Sequence, residues 1–261
     1  MYQPLILRQF IALTLLLICG KAVFSQSAGR VPGSVTVRPR KIIIQRTASV
    51  IRHAPDRKTA VIVVPVVTGI SDPAVLGRVR SELDLKNIFG STLQDYREDT
   101  WLSDFGYKVN YNADYLLDIT FTQSGLAAYP DTHEKHLLIN LQSGTPVKAA
   151  DVFDSAKLES LAQLIDRELQ KELAKLRAEN LSDASSSDER QALTDAYSNL
   201  KIERENLDEF SVGKTGITFL YDAGFPHVIE ALEPQGRYFF SYKTLNDYIR
   251  RDGPLRKFRT N

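Results

Sequence analysis

The feature that most constrains the fold is a two-residue periodicity close to the C-terminus. The residues that share one phase of it are Thr215, Ile217, Phe219 and Tyr221. This spacing predicts a strand with one buried face. A Gly- and Pro-bearing arm over 223–236 precedes a second short strand over 237–240. Ser241 is then suited to cap a helix. The predicted inner face of that helix consists of Tyr242, Leu245, Tyr248 and Ile249.

Further strands and helices follow from the same kind of pattern. Strands are predicted over 41–51, 59–67, 105–111, 114–122 and 135–141, with a hairpin turn at Asn112-Ala113. Helices are predicted from Asp72-Pro73 onward, over 155–178 and over 189–200. Antiparallel strands with helices grouped between them favour an α+β fold, a mostly antiparallel sheet with helices packed on one face.

The N-terminus has the order of a secretory signal peptide. Arg8 supplies a positive start, residues 10–19 are apolar, and small residues follow at Ala22 and Ser25. The apolar run is about half of the roughly 20 residues that a spanning helix needs, so a permanent anchor is the weaker alternative. Lipidation at Cys19 is also disfavoured, because Ile18 stands where lipoproteins carry a small residue. We expect an exported protein, periplasmic or secreted, that meets the membrane only transiently.

This assignment divides the chain into a signal peptide over 1–25, a flexible lead-in over 26–40, a domain over 41–255 and a basic tail over 256–261. The domain is predicted to consist of a strand-rich half over 41–153 and a second half over 154–255. The chain is long enough to bury a full core.

Cysteine content and charge exclude several classes of function. Cys19 is the single cysteine and lies within the predicted signal peptide, so disulfides, thiolate nucleophiles and cysteine zinc sites are not expected. The formal net charge of +1 gives no general electrostatic attraction to nucleic acid. No cofactor is predicted.

Two blocks of sequence resemble a known family. Residues 140–145 (NLQSGT) and 150–153 (ADVF) stand where that family has a D-L-x-T-G-K turn and an L-x-D-L-F segment. Residues 216–221 (GITFLY), Pro226 and 241–245 (SYKTL) resemble its C-terminal pattern. Over 42–255 the chain is similar to the extracytoplasmic domain of RsiV-type anti-sigma factors, which also precedes the catalytic domain of some peptidoglycan deacetylases.

The resemblance implies a binding role. In the anti-sigma factors the domain is a receptor for lysozyme, and in the deacetylases it is a non-catalytic companion. The short segment before the apolar run, residues 1–9, leaves no room for a sigma-binding part, and no deacetylase domain follows Asn261. We therefore expect a stand-alone binding module.

Candidate binding residues cluster first in a predicted loop over 127–136. Tyr129-Pro130 places an aromatic ring in that loop, and loops on a rigid sheet commonly carry binding residues. Asp131, His133 and His136 follow. A zinc site from the two histidines and Asp131 is an alternative, although strand geometry would turn the two imidazoles apart.

Two further segments complete the predicted surface. The polar segment over 94–104 contains the acids Asp95, Glu98 and Asp99 beside the single tryptophan, Trp101. Its acids are suited either to a basic protein or to paired-carboxylate hydrolysis. The arm over 223–235 adds Phe225 and His227.

These observations favour an exported, non-catalytic binding domain for a cell-wall glycan or a wall-acting protein such as a lysozyme. The alternatives are a cell-wall hydrolase that uses carboxylates or histidines, and a purely structural envelope protein. An enzyme requires titratable groups that converge in one cleft, whereas a binding module requires only an exposed surface.

Overall fold

A computed structural model describes residues 32–126, 130–183 and 186–260. The predicted signal peptide with Cys19, residues 26–31 of the predicted lead-in, and Tyr129 lie outside these residues. The strands are β1 (Thr36–Gln45), β2 (Thr59–Thr68), β3 (Leu102–Ala113), β4 (Leu116–Leu126), β5 (Pro130–Asn140), β6 (Thr145–Pro146), β7 (Phe210–Val212), β8 (Gly216–Leu220) and β9 (Arg237–Ser241). The helices are α1 (Ala48–His53), α2 (Pro73–Glu82), α3 (Leu85–Phe89), α4 (Leu93–Glu98), α5 (Ala149–Val152), α6 (Leu158–Asp183), α7 (Ser187–Ser198) and α8 (Tyr242–Leu245).

The strands form two sheets. Strands β1 to β6 lie side by side in sequence order, and β7 to β9 form a separate three-stranded sheet. Every pairing is antiparallel except that of β2 with β3, which are joined through α2, α3 and α4. The predicted α+β class with a mostly antiparallel sheet is therefore confirmed.

Helices α2 to α4 close one face of the six-stranded sheet. The side chains of Ile119 and Phe121 in β4 point to this face and are completely buried. They pack in one cluster with Val79 of α2 and Ile88 of α3. Asp72 starts α2 as predicted, because its carboxylate accepts hydrogen bonds from Ala74 N and Val75 N.

The long helix α6 closes one face of the three-stranded sheet. Its apolar stripe includes Leu161, Ile165 and Leu169, all without exposed surface. Ile217 of β8 and Phe240 of β9 belong to the same cluster. The stripe predicted from the three- and four-residue spacing thus finds its apolar partner.

The β3–β4 hairpin turns two residues later than predicted. Asn112 and Ala113 belong to β3, and the turn consists of Asp114 (φ 56°) and Tyr115 (φ 61°). Two successive residues with positive φ are the signature of a tight hairpin turn that follows the strand twist. A bulge between Val109 and Tyr111 adds a residue to β3.

Other boundaries also differ from the prediction. Strand β5 begins at Pro130, so the segment expected to be a loop is largely strand, held by eleven residue pairs with β4. Strand β1 begins at Thr36, within the predicted lead-in, and Thr47 caps α1 where a strand was expected to continue. The predicted basic tail packs on the body, since Phe258 stacks on Tyr242 with ring centroids 3.9 Å apart.

Within the described ranges, every helix is too short or too polar to serve as a membrane span.

Candidate functional site

Predicted binding residues come together at the end of the six-stranded sheet, where Trp101, Asp131 and His133 are neighbours. The Trp101 and His133 rings have centroids 5.3 Å apart and planes inclined by 33°. His133 Nε2 lies 3.0 Å from Asp131 Oδ2, and the His133 side chain is 53% exposed. We call these three residues the tryptophan platform.

The backbone fixes the indole of this platform. Trp101 lies over Gly125 of β4, where a Cβ atom would overlap the indole ring. The Trp101 carbonyl accepts a hydrogen bond from Leu126 N at 2.9 Å. Arg57 Nη1 bonds to the carbonyls of Thr100 (3.0 Å) and Leu126 (2.9 Å), on both strands. Trp101 is half-buried. Such a fixed aromatic surface loses little conformational entropy when it binds a ligand.

The predicted acids beside Trp101 stabilise helix α4 and its exit. Asp95 forms a capping box with Thr92. The pKa of the Asp95 carboxyl is lowered mainly by the hydrogen bond from the Thr92 backbone N–H, and further by the hydrogen bond to the Thr92 side chain. Asp99 Oδ1 accepts a hydrogen bond from Trp101 N at 2.9 Å. Glu98 accepts one from Gln94. These carboxylates therefore hold the segment that carries Trp101 and do not form a close pair.

The remaining predicted residues lie apart from the platform or carry no described side chain. Phe225 packs against Tyr197 of α7, with ring centroids 5.6 Å apart, in the core beneath α6. His227 starts a 3₁₀ turn, and its side chain is outside the described atoms. Pro130 is the exposed first residue of β5. Tyr129 immediately precedes it, outside the described residues.

His133 and His136 point to opposite faces of β5, because three residues separate them in a strand. Among the described side chains, no three His, Cys, Asp or Glu residues are grouped as a metal site would require. Their chemistry is therefore separate, and His136 belongs to a different site.

Sequence analysis missed this second site, which is built on the other face of β4. Asp118 is completely buried. Its Oδ1 accepts a hydrogen bond from Asn110 Nδ2 at 2.7 Å, and its Oδ2 accepts one from Val212 N at 2.6 Å. The first bond reaches the bulge of β3, and the second reaches β7. One carboxylate thus ties the two sheets together.

His136 lies beside this carboxylate with only 6% of its side chain exposed. Its Nε2 is 3.4 Å from Asp118 Oδ1, within ion-pair distance, but it makes no hydrogen bond. Its Nδ1 is 3.4 Å from Thr120 Oγ1, which also accepts a hydrogen bond from Asn110 at 2.8 Å. The side chain of His136 therefore lies between those of Thr120 and Asp118.

Beyond this network the two sheets diverge and leave an inter-sheet cleft of about 390 Å³. One wall is the polar face of β3 to β5, which includes Thr120, Thr122 and Glu134. The other wall is the outer face of β8 and β9, where Phe239 is 58% exposed. Arg237 of β9 bonds to Glu134 of β5 across the opening.

Comparisons with known proteins bear on the fold. No family model matches the chain, and no curated protein matches it. Among solved structures, it is similar to a DUF3298 family member from Bacteroides fragilis at 15% identity and a TM-score of 0.53, covering 85% of this chain and 96% of that one. A DUF3298 family protein from Pseudomonas aeruginosa matches at 10% identity and a TM-score of 0.44, covering 84% and 95%. The first likeness shows that the chain shares the fold of a DUF3298 protein, a family named as a domain of unknown function.

Proposed function

We propose that this protein is an exported, non-catalytic binding module for a cell-wall glycan, with the tryptophan platform as its site. The observation that carries the proposal is the assembly of Trp101, which directly precedes β3, with His133 and Asp131 of β5. An indole face packs against the apolar face of a sugar ring, while an imidazole and a carboxylate bond to its hydroxyls. The resemblance to wall-associated domains and the signal-peptide pattern support the same location.

The packing of the platform argues for binding and against turnover. Asp131 is engaged with His133, and Asp99 is engaged with a backbone N–H. Acid–base hydrolysis of a glycoside requires two carboxyl groups that flank one bond. Of the other predicted acids, Asp95 caps α4 and Glu98 accepts a hydrogen bond from Gln94, so neither is paired with Asp131.

The proposal is tested by titrating soluble peptidoglycan fragments into the protein and measuring heat or NMR shifts. Trp101→Ala should weaken binding at least tenfold, which corresponds to about 1.4 kcal/mol. Gly125→Ala should have a similar effect, because the new methyl group displaces the indole. Tyr115→Ala removes an aromatic ring that is 51% exposed at the hairpin turn and serves as the matched control. Equal binding by Trp101→Ala and the unmodified protein would refute the proposal.

A cell-wall hydrolase is the second candidate, and the row Asp118, His136 and Thr120 favours it. In this row Asp118 would correspond to the orienting acid, His136 to the general base and Thr120 to the nucleophilic hydroxyl of a catalytic triad. The geometry is weak for that purpose, since both Asp118 oxygens accept structural hydrogen bonds and Thr120 Oγ1 accepts one from Asn110. Release of soluble fragments from labelled peptidoglycan, abolished by Thr120→Val, would establish the hydrolase and exclude the binding module.

A wall-acting protein such as a lysozyme is the other partner class for a binding module. If the immobilised protein retains lysozyme, and if Trp101→Ala does not change that retention, the partner is a protein and the tryptophan platform is not its binding site.

A further inference from the structure

Strand β5 has an unpaired edge that faces an acidic groove. On one side β5 pairs with β4 along its whole length. On the other side β6 covers only Ile139 and Asn140, within the described part of the chain. The rest of that edge, residues 132–136, lines a groove of about 470 Å³. An uncovered edge presents main-chain donors and acceptors in a regular row.

The register shows which amides face this groove. The carbonyl of Leu138 accepts a hydrogen bond from Val147 N at 2.8 Å, and that of Asn140 accepts one from Gly144 N, both on the β6 side. Backbone direction alternates residue by residue along a strand. Thr132, Glu134 and His136 therefore direct their N–H and C=O groups outward, whereas His133 and Lys135 direct theirs to β4.

The wall opposite this edge carries negative charge. The groove is lined by five carboxylates (Glu134, Glu209, Asp222, Glu230 and Glu233) and two cations (Lys135 and Arg237), a formal charge of −3 with neutral histidines. Lys135 lies 3.7 Å from Glu209, and Arg237 bonds to Glu134. Asp222 and Glu233 add further negative charge to the groove, which attracts a cationic ligand.

Two buried polar atoms of the lining residues make no hydrogen bond. Glu233 Oε1 makes none, and Nε2 of His136 makes none either, although it lies 3.4 Å from Asp118 Oδ1. Buried polar groups without partners are uncommon in folded proteins, and the Glu233 oxygen is able to accept a hydrogen bond from a bound ligand. Both residues line the groove beside the free edge.

We propose that this groove binds an extended basic segment of another polypeptide, which adds to β5 as a further strand. The bound segment would pair with the amides of Thr132, Glu134 and His136 and would span about 17 Å along the edge. Its residues that face the inter-sheet side would be lysine or arginine at alternate positions, opposite Glu209 and Glu233. This ligand differs from the glycan proposed above, and of the tryptophan platform only His133 lines the groove.

The experiment uses a nine-residue peptide that alternates lysine and threonine, added to the ¹⁵N-labelled protein. Hydrogen exchange should slow at least tenfold at the amides of Thr132, Glu134 and His136, and should stay unchanged at His133 and Lys135, whose amides already bond to β4. A peptide with glutamate in place of lysine should bind at least tenfold more weakly. A peptide of the same charge with proline at alternate positions should also lose the edge protection.

Protein variants distinguish the contribution of the free β5 edge to peptide binding from that of the acidic side chains. Thr132→Pro removes one outward N–H and should weaken peptide binding at least tenfold, whereas Thr132→Val keeps the amide and should bind normally. Glu209→Lys should weaken binding, while Glu179→Lys, at a site of similar exposure on α6, should not. Peptide binding without protection of the three outward amides would overturn the proposal. Trp101→Ala should leave peptide binding intact, so failure here is distinguishable from failure of the glycan proposal.

Discussion

The two faces of strand β4 differ more than any other neighbouring regions of the molecule. Ile119 and Phe121 point to helices α2 to α4, into a closed apolar core. Asp118, Thr120 and Thr122 alternate with them and point to the second sheet. The same eleven-residue strand thus stabilises the fold on one side and lines an inter-sheet cleft on the other. Because strand side chains alternate, each face can change independently.

The largest predicted loss of stability comes from the closed face. Phe121→Ala removes a fully buried ring that packs beside Phe105 and Tyr107, with centroids 6.3 and 6.4 Å away. The free energy of unfolding should fall by about 4 kcal/mol, as measured by urea denaturation. Thr122→Ala is the matched change on the cleft face and should alter it by less than about 0.5 kcal/mol. Similar losses for the two variants would show that the cleft face is also core.

A smaller loss is predicted where the two sheets are joined. Asp118→Ala leaves the buried N–H of Val212 without an acceptor and removes one of the two acceptors of the Asn110 amide, which should reduce the free energy of unfolding by about 3 kcal/mol. Hydrogen exchange at the Val212 amide should accelerate relative to amides in β8. Unchanged protection of Val212 in this variant would mean that other contacts hold β7 in place.

The sequence predicted the apolar faces that pack against helices better than the polar walls of the inter-sheet cleft. The alternation in β4 and β8 and the stripe of α6 predicted which apolar residues are buried, because each repeat is local. Strand β7 has three residues, too few for a period to be visible, and β5 begins with polar residues whose strand structure depends on pairing with β4. Thr92 and Asp95 form a capping box that is visible in the sequence, and it explains Asp95 without an acidic binding surface.

The two sites were unequally predictable for a similar reason. Trp101 and His133 were each selected by residue type, but their contact depends on the register of β3, β4 and β5. Asp118 is, by residue type alone, one more polar side chain on the second face of β4. Its bond to Val212 joins residues 94 positions apart, and no local pattern encodes that distance.

An intermediate effect is predicted at the closed face of the second sheet. Tyr238 of β9 donates a hydrogen bond to Glu172 of α6 at 2.8 Å, and the other Glu172 oxygen accepts one from Gln235 N. Tyr238→Phe should lower the free energy of unfolding by about 2 kcal/mol at neutral pH, because a carboxylate loses a donor. Tyr115→Phe, at the exposed hairpin turn, should have no measurable effect on urea denaturation.

The same face predicts a dependence on alkaline pH. Burial raises the pKa of Tyr238, and the hydrogen bond to Glu172 raises it further; burial also raises the pKa of Tyr242. The stability from these tyrosines is complete below the unfolded pKa of about 10 and is lost as the pH rises toward the folded pKa, since only the unfolded chain then releases the protons. Each tyrosine should contribute a decline of about 1.4 kcal/mol per pH unit. Tyr238→Phe should make the decline between pH 10 and 12 shallower, and an unchanged slope would contradict this assignment.

The smallest effect is predicted at the opening of the cleft, where the two walls meet through exposed charges. Arg237 and Glu134 are 56% and 44% exposed, so water and salt screen their attraction. A double-mutant cycle of Arg237→Ala and Glu134→Ala should give a coupling of about 0.5 kcal/mol, decreasing toward zero at roughly 1 M salt. A coupling above about 2 kcal/mol would mean that the pair holds the walls together as a core contact does. A small coupling instead leaves the walls joined at Asp118 and free to part beyond it, which is the condition that a ligand entering beside β5 requires.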